Sequence, residues 1–319
     1  MRLFITGAAG FIGSNFVRHV LGSSDDSVTV FDALTYAGNP ANLNGLDSSR
    51  CTLVKGDICD RGAVLSAMAG HDVVVHFAAE SHVDRSIADP DAFVRTNCDG
   101  TNILCDVARQ IGVQRFIHIS TDEVYGSIEH GSFTERDALG PRSPYSASKA
   151  GSDLIALSHY ATHALPVIVT RSSNNFGPYQ FPEKLIPLFV TNLLEGKKVP
   201  LYGDGMNVRD WCYVEDNCRA IDLVRRLGGV GEIYNIGAGN EITNRLITTN
   251  VLELLGQESS MVEYVTDRPG HDRRYSVETA KVRALGWAPR HGFTESLAAT
   301  VDWYRANRSW WEPLKRRDG

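Results

Sequence analysis

Over the first 120 residues, short apolar, β-branched runs alternate with longer stretches that repeat every three to four positions. The runs Leu3–Thr6, Val28–Asp32, Cys51–Lys55, Val73–Phe77 and Arg115–Ser120 predict strands, and Val167–Thr170 predicts a sixth. Helices fit between them at Phe11–Leu21, Arg61–Met68, Ala92–Gln110 and Ala147–His163. Strands that are apolar throughout, joined by helices, mark βαβ units in a parallel sheet covered on both faces. The expected fold class is therefore α/β, a doubly wound parallel sheet of Rossmann type.

From about Asn174 the rhythm stops, with Pro178, Pro182, Pro187 and Pro200 interrupting it and turn sequences such as Tyr202-Gly203-Asp204-Gly205 between short segments. This predicts a smaller, interleaved C-terminal domain. We expect residues 1–173 to form the Rossmann domain and 174–319 to serve mainly a second ligand, with a later strand near 211–236 returning to the first sheet. Ile233–Ile236 reads as that strand, and Phe293–Asn307 as a closing amphipathic helix.

Composition narrows the function classes. The 319 residues carry 32 Lys and Arg against 38 Asp and Glu, a formal charge of −6, so no basic field for nucleic acid or an anionic membrane is expected. The short basic clusters Arg225-Arg226, Arg273-Arg274 and Lys315-Arg316-Arg317 fit solvated faces. No apolar run approaches the roughly 18 residues of a spanning helix. No signal peptide precedes Leu3, and a cytoplasmic protein is the expectation. The six cysteines, at 51, 59, 98, 105, 212 and 218, lack the spacing of a zinc knuckle or a redox pair and read as reduced. His76 and His118 fall in strand patterns and His82 follows Ser81, so packing suits them better than metal ligation, and no metal is expected.

The chemistry starts at Gly7-Ala-Ala-Gly10-Phe-Ile-Gly13, directly between the first strand and the first helix. There the helix N-terminus can receive a pyrophosphate if side chains are absent. Asp32 ends the second strand, nineteen residues beyond Gly13, where a carboxylate accepts from the adenosine ribose and repels a 2′-phosphate. Ala33 and Leu34 follow it rather than an arginine, which favours NAD over NADP. Tyr145 and Lys149 stand four apart where a helix begins, so a cation can sit beside the phenol and lower its pKa. Ser120-Thr121 ends the strand before them, and Asp122-Glu123 follows directly. Adjacent carboxylates at the end of a buried strand are costly unless used or paired, because each pushes the other's pKa upward.

The ordered glycine triplet, Ser/Thr and Tyr-x-x-x-Lys resemble the extended short-chain dehydrogenase/reductase family over essentially the whole chain. Thr121-Asp122-Glu123, Phe77–Ser86, Asn174-Asn175-Phe176-Gly177-Pro178 and Asp267–Tyr275 resemble its nucleotide-sugar 4,6-dehydratase branch. Phe176 departs from that branch, whose members often carry tyrosine there.

The resemblance implies a hydride borrowed and returned by NAD, with dTDP-glucose converted to dTDP-4-keto-6-deoxyglucose. It implies catalytic roles for Thr121, Asp122, Glu123, Tyr145 and Lys149. Gly7, Gly10, Phe11, Ile12, Gly13, Asp32, Leu34, Thr35, Asp57 and Ile58 would hold NAD, together with Ala79, Ser81, Thr96, Tyr145, Lys149 and Asn175. Ser81, Thr121, Asn174, Lys184, Leu185 and Pro200 would contact the substrate, together with Tyr202, Arg209, Asn235, Arg268, His271 and Tyr275. Arg209 and Arg268 suit a diphosphate, since guanidinium forks match phosphate oxygens. The family also implies a homodimer, built as a four-helix bundle from Ala92–Gln110 and Ala147–His163. A nucleotide-sugar epimerase or decarboxylase of the same fold is the nearest alternative, though neither needs a dehydration pair. A silent NAD-sensing module has no use for Thr121, Tyr145 and Lys149.

Overall fold

The computed structural model describes residues 1–268 and 270–316, so Pro269 of the Asp267–Tyr275 block and Arg317 of the basic cluster lie outside the described residues. Seven strands form one parallel sheet: β1 (Arg2–Thr6), β2 (Ser27–Asp32), β3 (Cys51–Lys55), β4 (Val73–His76), β5 (Arg115–Thr121), β6 (Val167–Ser172) and β10 (Ile233–Ile236). Their order is β10-β6-β5-β4-β1-β2-β3, which reverses direction between β1 and β4. Ligands of doubly wound sheets bind at the carboxyl ends of strands beside such a reversal.

Alternation along each strand explains the two covered faces. Leu3, Ile5, Val75, Ile117 and Ile168 join one apolar core, with helices α1 (Phe11–Ser23) and α8 (Val214–Leu227) packed on it. Phe4, Val74, Phe116, Val167 and Val169 join the opposite one, under α2 (Arg61–Met68), α5 (Gly100–Ile111) and α6 (Pro144–His163). Short helices α3 (Val83–Ala88) and α4 (Pro90–Phe93) precede α5, and a π-helical stretch at Val94–Asp99 joins α4 to α5 within the predicted Ala92–Gln110 helix.

The later half builds a third core around Phe176, Phe189, Trp211, Ile247, Tyr304 and Trp311. It holds β7 (Asn174–Phe176), α7 (Leu185–Leu194), β8 (Val199–Tyr202), β9 (Val208–Tyr213), β11 (Glu241–Thr243), α9 (Asn244–Leu255) and β12 (Val262–Val265). The chain then runs through α10 (Ala280–Ala284), α11 (Phe293–Ala306) and α12 (Arg308–Lys315). In the 211–236 region, β9 stays with β7 and β11, while α8 packs on α1 and β10 pairs in parallel with β6. The predicted closing helix is present as α11, and α12 extends beyond it. Phe176 is fully buried against Trp211, Tyr213 and Phe293, a dry aromatic nest in which a tyrosine hydroxyl would need a partner. All six cysteines are free.

Candidate active site

A cavity of about 360 Å³ opens at the carboxyl ends of β1 and β4. Gly7 turns the chain there with φ +70°, and a Cβ on it would lie 2.4 Å from the Ala78 backbone nitrogen. A Cβ on Gly13 would lie 2.6 Å from the Ala8 Cα, so this glycine lets α1 sit close on the loop. Gly10 caps α1 without a side-chain bond to the first turn, leaving the helix N-terminus to face the cavity. These are the features a pyrophosphate requires.

Asp32 is buried, with Oδ2 accepting from Ala9 N–H at 2.9 Å and Oδ1 from Leu34 N–H at 2.8 Å. Burial raises its pKa and the two backbone bonds oppose that. A Cβ on Gly38 would stand 2.7 Å from Oδ1, so glycine leaves the carboxylate open. Leu34 does not reach the cavity. Its φ of 53° spends the residue on the turn, and its backbone N–H serves Asp32 instead. Thr35, Asp57, Ile58, Ala79, Ser81, Thr96 and Asn175 line the cavity along with Phe11 and Ile12. The π-helical stretch places Asn97, whose side chain bonds both the N–H and the carbonyl of Glu80 and so holds the segment after β4.

Thr121, Asp122, Glu123, Tyr145 and Lys149 form the inner wall of the same cavity. Thr121 ends β5 and caps a 3₁₀ turn, accepting from the Glu123 N–H at 3.3 Å. Ser143 and Ser146 form a capping box that starts α6 and sets Tyr145 in its first turn. Lys149 Nζ donates to the Ile119 carbonyl at 2.7 Å, and burial lowers its pKa to about 8.

The Tyr145 phenol is costly to ionise among the protein's own groups. Its pKa is pushed well above the usual value by burial and then by the charges of Glu123 and Asp122, with a Thr121 hydrogen bond opposing.

The carboxylates divide sharply. Asp122 is 3% exposed, its Oδ2 has no partner among the described residues, and burial with the Glu123 and Asp210 charges raises its pKa well above the carboxylate range. Burial also raises Glu123, but the Arg209, Lys184 and Arg268 cations pull it back. Environments that separate two carboxyls in this way suit one to be an acid and the other a base.

Glu123 also lines a second cavity of about 210 Å³, which shares Ser81, Asn174 and Lys184 with the first. Leu185, Pro200, Tyr202, Arg209, Arg268, His271 and Tyr275 complete its predicted set. The Arg209 guanidinium donates to the Val208 and Asp272 carbonyls and lies 4.1 Å over the Tyr275 ring. The Arg268 side chain lies 5.0 Å over Tyr202 and 3.5 Å from Asp84. His271 Nδ1 is 2.6 Å from Asp267, and burial lowers its pKa. Lys184 Nζ donates to the Ser81 carbonyl at 2.8 Å.

Asn235 is the other residue the structure does not bring here. It is fully buried on β10, with its side chain accepting from the Tyr125 hydroxyl and donating to the Phe133 carbonyl. Asn244 at the start of α9 lines the second cavity instead, with Oδ1 unpartnered among the described residues. Gln180 and Glu183 line both cavities and were not anticipated from sequence. Proximity to Asn174-Asn175 is the one signal that could have flagged them, whereas Asn244 reaches the site through the β11–β9 pairing, invisible in sequence.

Residues 4–300 match the family model described as GDP-mannose 4,6 dehydratase. The chain belongs to that family. It is 57% identical to the dTDP-glucose 4,6-dehydratase of Streptomyces antibioticus over 99% of this chain and 96% of that protein. The solved dTDP-glucose 4,6-dehydratase from Streptomyces venezuelae, with NAD and TYD bound, superposes with a TM-score of 0.97 at 55% identity, covering 98% of this chain and all of that one. A Thermus thermophilus UDP-glucose 4-epimerase in complex with NAD reaches 0.89 at 32% identity, covering 96% of this chain and all of that one. The fold is thus common to dehydratases and epimerases.

Proposed function

We propose that this chain is an NAD-dependent lyase that converts dTDP-glucose to dTDP-4-keto-6-deoxyglucose and water. The observation that carries this reading is the unequal environment of Asp122 and Glu123, the former buried with Oδ2 unpartnered among the described residues, the latter at the junction of the two cavities and faced by three cations. The 57% identity over nearly the whole chain supports the substrate. The glycine loop, the open Asp32 carboxylate and the α1 N-terminus fit NAD, with Thr35, Asp57, Ile58, Ala79, Ser81, Thr96 and Asn175 around it.

NAD held by the glycine loop and Asp32 would supply a hydride acceptor and donor and a positive charge beside Tyr145. Tyr145 takes the C4 hydroxyl proton, Thr121 hydrogen-bonds the same oxygen, and Lys149 favours the phenolate. The resulting ketone acidifies C5. Glu123 then removes the C5 proton while Asp122 protonates the departing C6 hydroxyl, and Glu123 gives the proton back to C5 once C6 has been reduced. Arg209 and Arg268 hold the diphosphate, and Asn174, Lys184 and Tyr275 surround the sugar.

Residues 1–173, with α8 and β10 added, constitute the cofactor domain, and the rest of 174–319 mainly the nucleotide-sugar domain. The protein works as a cytoplasmic homodimer through Ala92–Gln110 and Ala147–His163, a pairing supported by Val94 and Leu154, apolar side chains 51% and 59% exposed in those segments. Among the described residues no helix is long and apolar enough to cross a membrane. Incubation with dTDP-glucose, followed by mass spectrometry, tests the function. Loss of one water from the sugar is expected, and recovery of an unchanged-mass epimer contradicts it.

A further inference from the structure

Both main-chain groups of Ala9, inside the glycine loop, are held by the segment from Asp32 to Asn42. The N–H donates to Asp32 Oδ2 at 2.9 Å. The carbonyl accepts from Asn42 Nδ2 at 2.8 Å and from the Asn39 N–H at 3.0 Å. Asn42 is 1% exposed, and its Oδ1 accepts from the Trp310 indole N–H at 2.8 Å. An indole nitrogen can only donate, so this bond selects the amide orientation that turns Nδ2 toward Ala9.

The same indole braces a second wall of the cofactor cavity. Its ring lies 5.9 Å from Tyr179 and 5.0 Å from Trp303. Tyr179 holds φ at +69° immediately before Gln180 and Phe181, which line the cavity. Arg18 stacks 4.8 Å over Tyr179 and donates to the Asn42 carbonyl at 2.7 Å, closing the circuit.

We propose that Trp310 on α12 is a positioning residue for the cofactor. It orients Asn42, Asn42 sets the Ala9 peptide, and the Ala9 N–H fixes the Asp32 carboxylate toward the adenosine ribose. The proposal rests on the reading of Asp32 as the ribose carboxylate. Buried amides with both ends engaged are costly to leave half-satisfied, so removing the indole donor frees Asn42 to reorient and loosens the whole relay.

The test compares binding of NAD and of NAD carrying 2′-deoxyadenosine to wild type, Trp310→Phe and Asn42→Ser, with Trp303→Phe as a control in the same aromatic cluster. Wild type is expected to prefer NAD. Trp310→Phe and Asn42→Ser are expected to weaken NAD roughly three- to tenfold, while the deoxy analogue weakens less, so that the preference shrinks. Trp303→Phe is expected to keep the preference. Equal weakening of both ligands in Trp310→Phe and Asn42→Ser, or no weakening, overturns the proposal. A wild type indifferent to the 2′-hydroxyl overturns the Asp32 reading beneath it.

Discussion

The ammonium of Lys149 is held by the carbonyl of Ile119, 2.7 Å away, two residues before Thr121 on the same strand. The bond registers α6 against β5 and fixes where Tyr145 stands relative to Thr121. It also puts the cation where burial lowers its pKa to about 8.

That shift has a stability consequence. Unfolded, Lys149 keeps its proton to about pH 10.4, whereas folded it gives the proton up near pH 8. Between these values the unfolded chain binds more protons, so the cost of burying this group falls and stability rises with pH. Against Lys149→Met, wild type should gain stability by up to about 1.4 kcal/mol per pH unit across that window. Urea unfolding of both proteins from pH 7 to 10 measures it, and a pH-independent difference contradicts the buried cation.

Tyr145→Phe should lower the rate of C4 oxidation by about 10²–10⁴-fold while leaving NAD affinity within a few-fold. The ring still packs against Phe93 in the variant, and the glycine loop is untouched. Single-turnover nicotinamide reduction and NAD titration together report both quantities. Near-normal reduction would remove Tyr145 as the base.

Asp32→Ala combined with Ala33→Arg should shift preference from NAD toward NADP. Ala33 lines the cavity beside Asp32, so a guanidinium there replaces a repelling carboxylate with a phosphate partner. Affinity for NAD should also fall, since Ala9 and Leu34 lose their common acceptor. Unchanged preference by titration with both nucleotides would contradict the role of Asp32.

If the proposed homodimer uses α6, Leu154→Glu should give a monomer by sedimentation, because it replaces an exposed leucine of that helix with a charge. A dimer that persists would move the interface elsewhere.

The parts legible in sequence are those in which local chemistry and position in the chain coincide. Gly7, Gly10, Gly13 and Asp32 sit between consecutive elements, and their geometry follows from that local order. Thr121 to Glu123 and Tyr145 to Lys149 were visible for the same reason. What escaped depended on tertiary pairing. Asn235 looked like a ligand group but is consumed by Tyr125 and Phe133, while Asn244 arrives through β11. Leu34 does not line the cavity, and its backbone N–H serves Asp32. The upward Tyr145 shift comes from burial and from charges on a different element, which four-residue spacing does not report.

In the proposed reaction Asp122 is the acid at C6 and Glu123 the base at C5, while Tyr145 is the base of the first oxidation. Rapid mixing of Asp122→Asn and Glu123→Gln with dTDP-glucose in deuterated water measures nicotinamide reduction, product formation and deuterium at C5 in one experiment. Both variants should form NADH and dehydrate about 10²–10⁴-fold more slowly than wild type. Asp122→Asn should still exchange C5 with solvent, and Glu123→Gln should not. Equal exchange in both, or full dehydration by either, would contradict the assignment and favour the epimerase reading.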